Sequence, residues 1–600
     1  MALLPESARA LVAVAAVAGW RVPRALLTAV VSQNEEDMLT GLEEACRARL
    51  LVEAGDGAYA FPHDLIREVV EADISTARRA VLHRRVAEAW GAEPRPAAAE
   101  QLAYHFGRSD VQDKAVPYFE LAGDEAWSQG AQGAAERHFC DLLERLRSLD
   151  RVDDARRIRE KLANVRYETG HYGAAVELLE TVADELAAAG DWGAVARVAA
   201  RIGWAHWRGG TIGDGVARVE RLLEVLHRHG EQSPPALCAA LGQLLFGAGQ
   251  YSKSLTATEQ AVELARASGD DRVRAMAEAQ LMNILQTSGS VEDAVRVSRE
   301  VVTSIEEVGD LDALRMAHSV LTYIRGVRGD LEAARLHAGR ARVICERIGD
   351  QVSLSFPLAV GAWIDTLAGD WRSARNELER AIDLSHRADH SWYGPYPSVF
   401  LARLLLVEGA WEAAAAVGHE ALAVAEESKD LQAVRWTSPT MAELEIRQGH
   451  PEAAVARLEP LLDRPGLEEC DVTSLLPVLA WAHLDAGRVE EAGTLVQQAL
   501  IRARREGMRP TLVEALRLRA MVLMRGERWA AAARDLEEGL ALARSIPYPY
   551  AEARLLRAES KLYCALGERR LAGERLEEAA TIFRRLGAAR DIERLDRLPV

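Results

Sequence analysis

Gly369-Asp370-Trp371-Arg372-Ser373-Ala374 closes one helix, turns, and opens the next. A glycine followed five residues later by a small residue recurs along most of the chain. The glycines are Gly130, Gly170, Gly210, Gly249, Gly289, Gly329, Gly369, Gly409, Gly449, Gly487, Gly526 and Gly567, at steps of 38 to 41 residues. A fixed period of this length is the mark of a stacked-repeat solenoid, in which each unit buries its apolar face only against its neighbours.

Two columns of small residues support this reading. Seven residues before the turn glycine stand Ala163, Gly203, Gly242, Thr322, Ala362, Ala402, Ala442, Ala480 and Ser560, with Met282 the exception. Five residues after it stand Ala175, Gly215, Ser254, Ala294, Ala334, Ala374, Ala414, Ala454, Ala492 and Ala572. Helices approach to about 8–10 Å where contact side chains are small. Each unit therefore reads as two helices joined at the glycine. The unit at Gly526 breaks the pattern, with Leu536 and Gly539 one position late, and reads as carrying a one-residue insertion. The array resembles the tetratricopeptide fold in a long-helix version, with a period near 40. The expected fold class is all-α: a helical solenoid with a small N-terminal winged-helix domain.

Composition narrows the function classes. The 600 residues exceed a single core, which fits several domains or an open-ended array. Lys and Arg number 73 against 91 Asp and Glu, a net charge of -18 that argues against a surface built to track a phosphate backbone. The six cysteines include no CxxC pair and read as reduced thiols, with no zinc site or disulfide framework. The longest apolar run, Leu11 to Trp20, is too short for a bilayer and is preceded by an acidic rather than a basic segment. The expectation is a cytoplasmic protein without a membrane segment.

Residues 1–92 stand outside the repeat. Pro5 to Gly19, Val22 to Val31 and Glu35 to Leu50 read as helices. Leu51–Ala54 and Ala58–Phe61 flank Gly55-Asp56-Gly57 as a hairpin, and a helix from His63 runs to Trp90 with a break at Ser75. Helices, a two-stranded wing and a further helix make a winged-helix order. Residues 93–130 form a helical lead-in and 131–600 the repeat array. Phe61-Pro62-His63-Asp64-Leu65-Ile66-Arg67-Glu68, followed by Ala77-Arg78-Arg79-Ala80-Val81-Leu82-His83-Arg84-Arg85, resembles the end of the ATPase module in STAND-type regulators, the MalT-like and large LuxR-type activators. The resemblance implies a winged helix leading into a tetratricopeptide-like sensor, and it implies that His63 faces a nucleotide. The chain contains no Gly-Lys dipeptide and so no phosphate loop; a nucleotide could meet His63 only through a separate ATPase subunit. The alternative reading of His63 is a helix-start residue beside Asp64, which complements the helix dipole. The basic cluster Arg78, Arg79, His83, Arg84 and Arg85 is spread around its helix and follows Glu68, Glu71 and Asp73, so direct nucleic-acid binding is not expected.

A third column lies six residues before each turn glycine: Asn164, Trp204, Gln243, Asn283, Tyr323, Trp363, Arg403, Glu443, Trp481 and Lys561. None is a small aliphatic residue, which fits a solvated concave groove. Aromatic residues and Arg are the types that anchor interfaces. Tyr323, Trp363 and Arg403, flanked by Trp204 and Trp481, are the candidate binding residues; the competing reading is Trp rings bridging adjacent helices. Trp392 joins them from His390-Ser391-Trp392-Tyr393-Gly394-Pro395-Tyr396-Pro397, where Pro395 and Pro397 delay the next helix, and Pro357 and Pro439 interrupt neighbouring first helices. The charged tail 588–600 reads as a cap on the last apolar face. No metal spacing, catalytic motif or cofactor fingerprint accompanies these residues. The sequence therefore predicts a non-catalytic sensor or scaffold in bacterial signalling or transcriptional control. Its partner would be a protein, a peptide or a small inducer, with a separate ATPase or DNA-binding subunit as a further possibility. A truncated regulator and a constitutive adaptor remain open beside it.

Overall fold

The computed structural model describes residues 4–92, 98–386, 394–463 and 468–595 and divides into two compact units, 1–169 and 170–600. In the first unit, α1 (Glu6–Ala18) opens after Pro5 and ends at Gly19, and Leu11 through Ala18 are all buried. Next come β1 (Arg21–Pro23), α2 (Arg24–Val30), α3 (Glu35–Arg47), β2 (Val52–Glu53), β3 (Ala58–Ala60), α4 (Asp64–Ala72) and α5 (Thr76–Gly91). The strands form an antiparallel sheet in the order β1-β3-β2, with Tyr59 opposite both Val22 and Glu53. The helix expected from Val22 thus begins two residues late. Pro23 disfavours helical geometry at the residue before it, so Val22 is extended and pairs with the hairpin. The four helices Ala99–Gly107, Val116–Ser128, Gln132–Ser148 and Val152–Glu168 complete this unit.

The second unit is a solenoid of helical hairpins of the tetratricopeptide kind. A first helix, such as Leu311–Val327, packs against a second, such as Leu331–Ile348, through a short turn. The two small-residue columns lie at the buried crossings: Ala362 and Ala402 on first helices, and Ala334 and Ala374 on second helices, are 0–1% exposed. A Cβ added to Gly242 would come within 2.3 Å of Thr258 Oγ1, so that crossing admits no side chain.

Eleven of the twelve turn glycines adopt positive φ, between 66° and 93°. Gly526 does not: its φ is -96°, and Glu527 takes the left-handed conformation at 55°. This corrects the insertion expected from sequence. Glu527 stands 40 residues after Gly487 and 40 before Gly567, and it restores Ala520 and Ala532, both fully buried, to the two small-residue columns. The period is unbroken, and glycine has merely been replaced at the turn.

The superhelix winds tightly enough to close on itself. First helices five hairpins apart touch: Asp271–Thr287 with Cys470–Asp485, Leu311–Val327 with Arg509–Arg525, and Gln351–Ala368 with Pro549–Ala565. Turn glycines meet the next superhelical turn, Gly249 at Leu431, Gly289 at Glu468, Gly369 at Pro549 and Gly409 at Arg590. The last described helix, Ala589–Leu595, reaches beyond the final hairpin. Its Asp591 accepts hydrogen bonds from Arg447, Tyr550 and Arg557. The tail expected to cap the last apolar face therefore also anchors a helix about four hairpins upstream.

Candidate functional site

Tight winding turns the expected groove into an interior. The position six residues before the turn is exposed at Asn164 and Lys561, near the ends of the array, and half-buried or buried between Trp204 and Trp481. A cavity of about 220 Å³, partly open to solvent, lies there, with walls from seven successive first helices. At roughly 30 Å³ per water this is room for on the order of seven waters, the scale of a small molecule.

Tyr323, Trp363, Arg403 and Trp481 all line this cavity. Trp204 does not; it packs edge-on against Trp207, with ring centroids 5.7 Å apart. Trp392 lies outside the described residues. His63 is the exposed residue before α4, and its side chain makes no capping hydrogen bond.

The cavity has two chemically different ends. At one, Tyr323 stacks on Trp436 at 4.6 Å and on Trp363 at 5.4 Å, and Phe400 adjoins both tryptophans. Trp436 Nε1 donates to Asp471 Oδ1 at 2.7 Å, and the Tyr323 hydroxyl donates to the same oxygen at 3.4 Å. Burial pushes the Asp471 carboxyl up to about 6, against the Trp436 donor and the charge of Arg435. Its Oδ2 has no partner.

The other end is ionic. Trp481, 8% exposed, is surrounded by the guanidiniums of Arg554, Arg517 and Arg447 at 5.2, 5.3 and 5.8 Å from its ring. Glu443, 2% exposed, pairs with Arg403, with Arg447 at 2.7 Å and with Arg554 at 3.4 Å. Burial opposes its ionisation, but Arg403, Arg554 and Arg447 outweigh that and hold its carboxyl well below the usual range. Glu514 accepts from Arg517 at 3.0 Å and lies 3.5 Å from Arg554.

Trp436, Phe400, Asp471, Glu514, Arg517 and Arg554 are absent from the column read in the sequence. Most of them stand two helical turns or one turn earlier on the same face. Seven residues before Tyr323, Trp363, Arg403, Glu443, Trp481 and Lys561 are Met316, Phe356, Tyr396, Trp436, Ser474 and Arg554. At about 3.6 residues per turn, a seven-residue step returns to the same face. Trp436 and Arg554 therefore belong to a second column present in the sequence, large or charged in each of these units but that of Ser474.

Comparison with known proteins finds partial matches. A family model described as anaphase-promoting complex subunit 5 matches residues 235–288 and 363–447, less than half of the chain. An uncharacterized protein of Rhizobium meliloti (strain 1021) is 31% identical over 157 residues, which are 24% of this chain and 15% of that protein. The chain thus spans well under two thirds of that relative. Among solved structures, a Pyrococcus horikoshii signal transduction ATPase with a tetratricopeptide repeat sensor is 13% identical, with 71% of this chain and 64% of that one covered, at a TM-score of 0.35. The Cut9–Hcn1 hetero-tetramer of the anaphase-promoting complex is also 13% identical, with 80% and 96% covered, at 0.33. A Rap protein complexed with competence and sporulation factor is 11% identical, with 60% and 95% covered, at 0.32.

Proposed function

We propose that this chain is a non-catalytic sensor scaffold in bacterial signalling or transcriptional control, and that the interior cavity holds the small inducer. The observation that carries this reading is the cavity wall. Tyr323, Trp363, Phe400, Trp436, Asp471, Thr511 and Arg554 come from seven successive hairpins and from both sides of a superhelical closure. A molecule bound there bridges hairpins that the closure brings together. Its affinity differs between a closed and a loosened superhelix, and that difference is what shifts the population of the two states. In this reading residues 1–92 form a winged-helix module that transmits the state of the array 131–600 to a partner.

A second reading, a subunit of a split regulator, is favoured by one feature. Beside His63, α4 leaves Leu65 and Val69 70% and 63% exposed, one helical turn apart. In that assembly His63 meets a separate ATPase subunit, and DNA binding resides on another chain.

The test is native mass spectrometry of the full chain after incubation with a small-molecule extract of the source cells. Wild type is compared with Trp363→Ala after circular dichroism shows equal helix content. Retention of a small molecule by wild type and its loss from the variant supports an interior sensor site. Equal retention, or none in either, overturns it.

A further inference from the structure

The ionic end of the cavity carries more positive than negative charge. Among the residues that line this end the cations are Arg403, Arg517 and Arg554, and the carboxylates are Glu443 and Glu514; Arg447, Arg557 and Asp591 stand behind them. Asp591 is shared by Arg447 and Arg557, and Glu443 by Arg403, Arg447 and Arg554. Arg517 is left with Glu514 at its Nε and the Met521 sulfur at its Nη1. Arg554, 3% exposed, lines the cavity with a buried Nε that has no acceptor. Asp485 accepts from the indole Nε1 of Trp481 at 3.0 Å but does not line the cavity. A buried cation in excess of its carboxylates is strongly disfavoured, so a lining that keeps one in excess is suited to completion by an anion. Burial and the nearby charge of Arg554 pull the Arg517 guanidinium down to about 10, the same crowding seen from the side of the proton.

The wall between the ends sets the shape of the guest. Asp471, Ser474, Val478 and Trp481 follow one another along one helix face. Ten residues at ~1.5 Å rise put the backbone positions of Asp471 and Trp481 about 15 Å apart, and their side chains reach into the space between. Beside it stand the stacked, near-parallel Tyr323–Trp436 pair, at an interplanar angle of 10°, and the Phe400 ring. A flat apolar body lies against such rings, and a planar fork of guanidinium donors takes a carboxylate in two parallel hydrogen bonds.

We infer that the cavity binds a small flat organic anion, its carboxylate on Arg517 and Arg554 beside Trp481 and its ring system along the Tyr323–Trp436–Phe400 wall. This assignment rests on the cavity being the inducer site and adds the ligand's charge and shape.

The experiment uses the full chain and three matched pairs of probes: phenylacetate, indole-3-propionate and 2-naphthoate, each against its amide, with inorganic phosphate as the bare anion. Thermal shift and calorimetry read the binding. The assignment expects at least one acid to bind tenfold or more tighter than its amide and tighter than phosphate. It also expects Arg517→Met to abolish that preference without lowering the melting temperature of the unliganded chain, because the substitution relieves cationic crowding. A chain melting below wild type in Arg517→Met would show that Arg517 is structural and overturn the assignment. A second variant, Arg554→Gln, keeps a donor for Glu443 and Glu514 and is expected to lose the same preference. Acids and amides that bind equally overturn the anion and leave the cavity a binding site. Phosphate that matches the best acid overturns the flat organic body. A panel that fails to shift wild type overturns the assignment, whereas retention of a native small molecule that depends on Trp363 still decides the sensor reading.

Discussion

At the residue scale the turn glycines do two different jobs, and two substitutions separate them. Gly449 holds φ at 90° with open space where a Cβ would project. Gly289 holds φ at 91°, and a Cβ there would sit 2.0 Å from the Glu468 carbonyl oxygen of the next superhelical turn. Left-handed backbone costs an L-residue roughly 1–2 kcal/mol, so Gly449→Ala is expected to lose about that much in urea unfolding. Gly289→Ala adds a clash with backbone that cannot rotate away, and its loss should be at least about twice as large. Equal losses would mean that the closure at Gly289 yields without cost. Glu527, exposed and with φ at 55°, shows that the conformational job alone can be done without glycine.

At the scale of the hairpin, packing brings titratable pairs into dry crossings. His318 on Leu311–Val327 and His337 on Leu331–Ile348 face each other with Nδ1 atoms 3.0 Å apart, one donating to the other. Burial lowers both rings to about 4; the charges of His337 and Arg340 add to the effect at His318, and those of Arg325 and Arg340 at His337, against Asp330. Between the ordinary value near 6.5 and about 4 the unfolded chain binds more protons than the native one. Stability is therefore lost as pH falls through that window. The midpoint of urea unfolding is expected to drop from pH 6.5 to 4.5 in wild type and to drop less in the double variant His318→Leu, His337→Leu. Parallel slopes would show that the pair does not titrate against folding.

The hairpin is also the scale at which the sequence was most legible. A 40-residue period and two columns of small residues are local consequences of one crossing repeated, so the helices and their turns follow from them. Tyr323, Trp363, Arg403 and Trp481 were visible as large residues in a helix otherwise full of Ala, Leu and Val, and all four line one cavity. Trp204 obeyed the same column but sits elsewhere, because position along the superhelix decides which members meet. Asp471 meets Tyr323, four hairpins upstream, only through winding, which no single repeat encodes. β1 was missed for a different reason: a three-residue strand ahead of a helix carries too short a pattern to read.

At the scale of the whole repeat unit, winding changes how stability is distributed. An open repeat array is nearly one-dimensional, so damage at its end spreads only to the neighbouring repeat. Here Asp591, 1% exposed on the last described helix, is held between Arg447, Arg557 and Tyr550, and Arg594 donates to the Arg447 carbonyl oxygen at 2.6 Å. Burial opposes the Asp591 charge, but Arg447 and Arg557 hold the carboxyl down at about 2. Replacing Asp591 with Ala leaves Arg447, a fully buried side chain, facing Glu443 and Tyr550 alone. Removing one partner of a buried pair costs about 3–5 kcal/mol. In hydrogen exchange the Asp591→Ala chain should lose protection in Arg569–Leu586 and, together with it, in Leu431–Gln448, the helix that carries Arg447. The earlier first helix Asp271–Thr287, which closes against a different part of the superhelix, should keep its protection. Loss confined to the final hairpin would mean that the array behaves as an open chain of neighbours and that its interior contacts are too weak to couple one superhelical turn to the next.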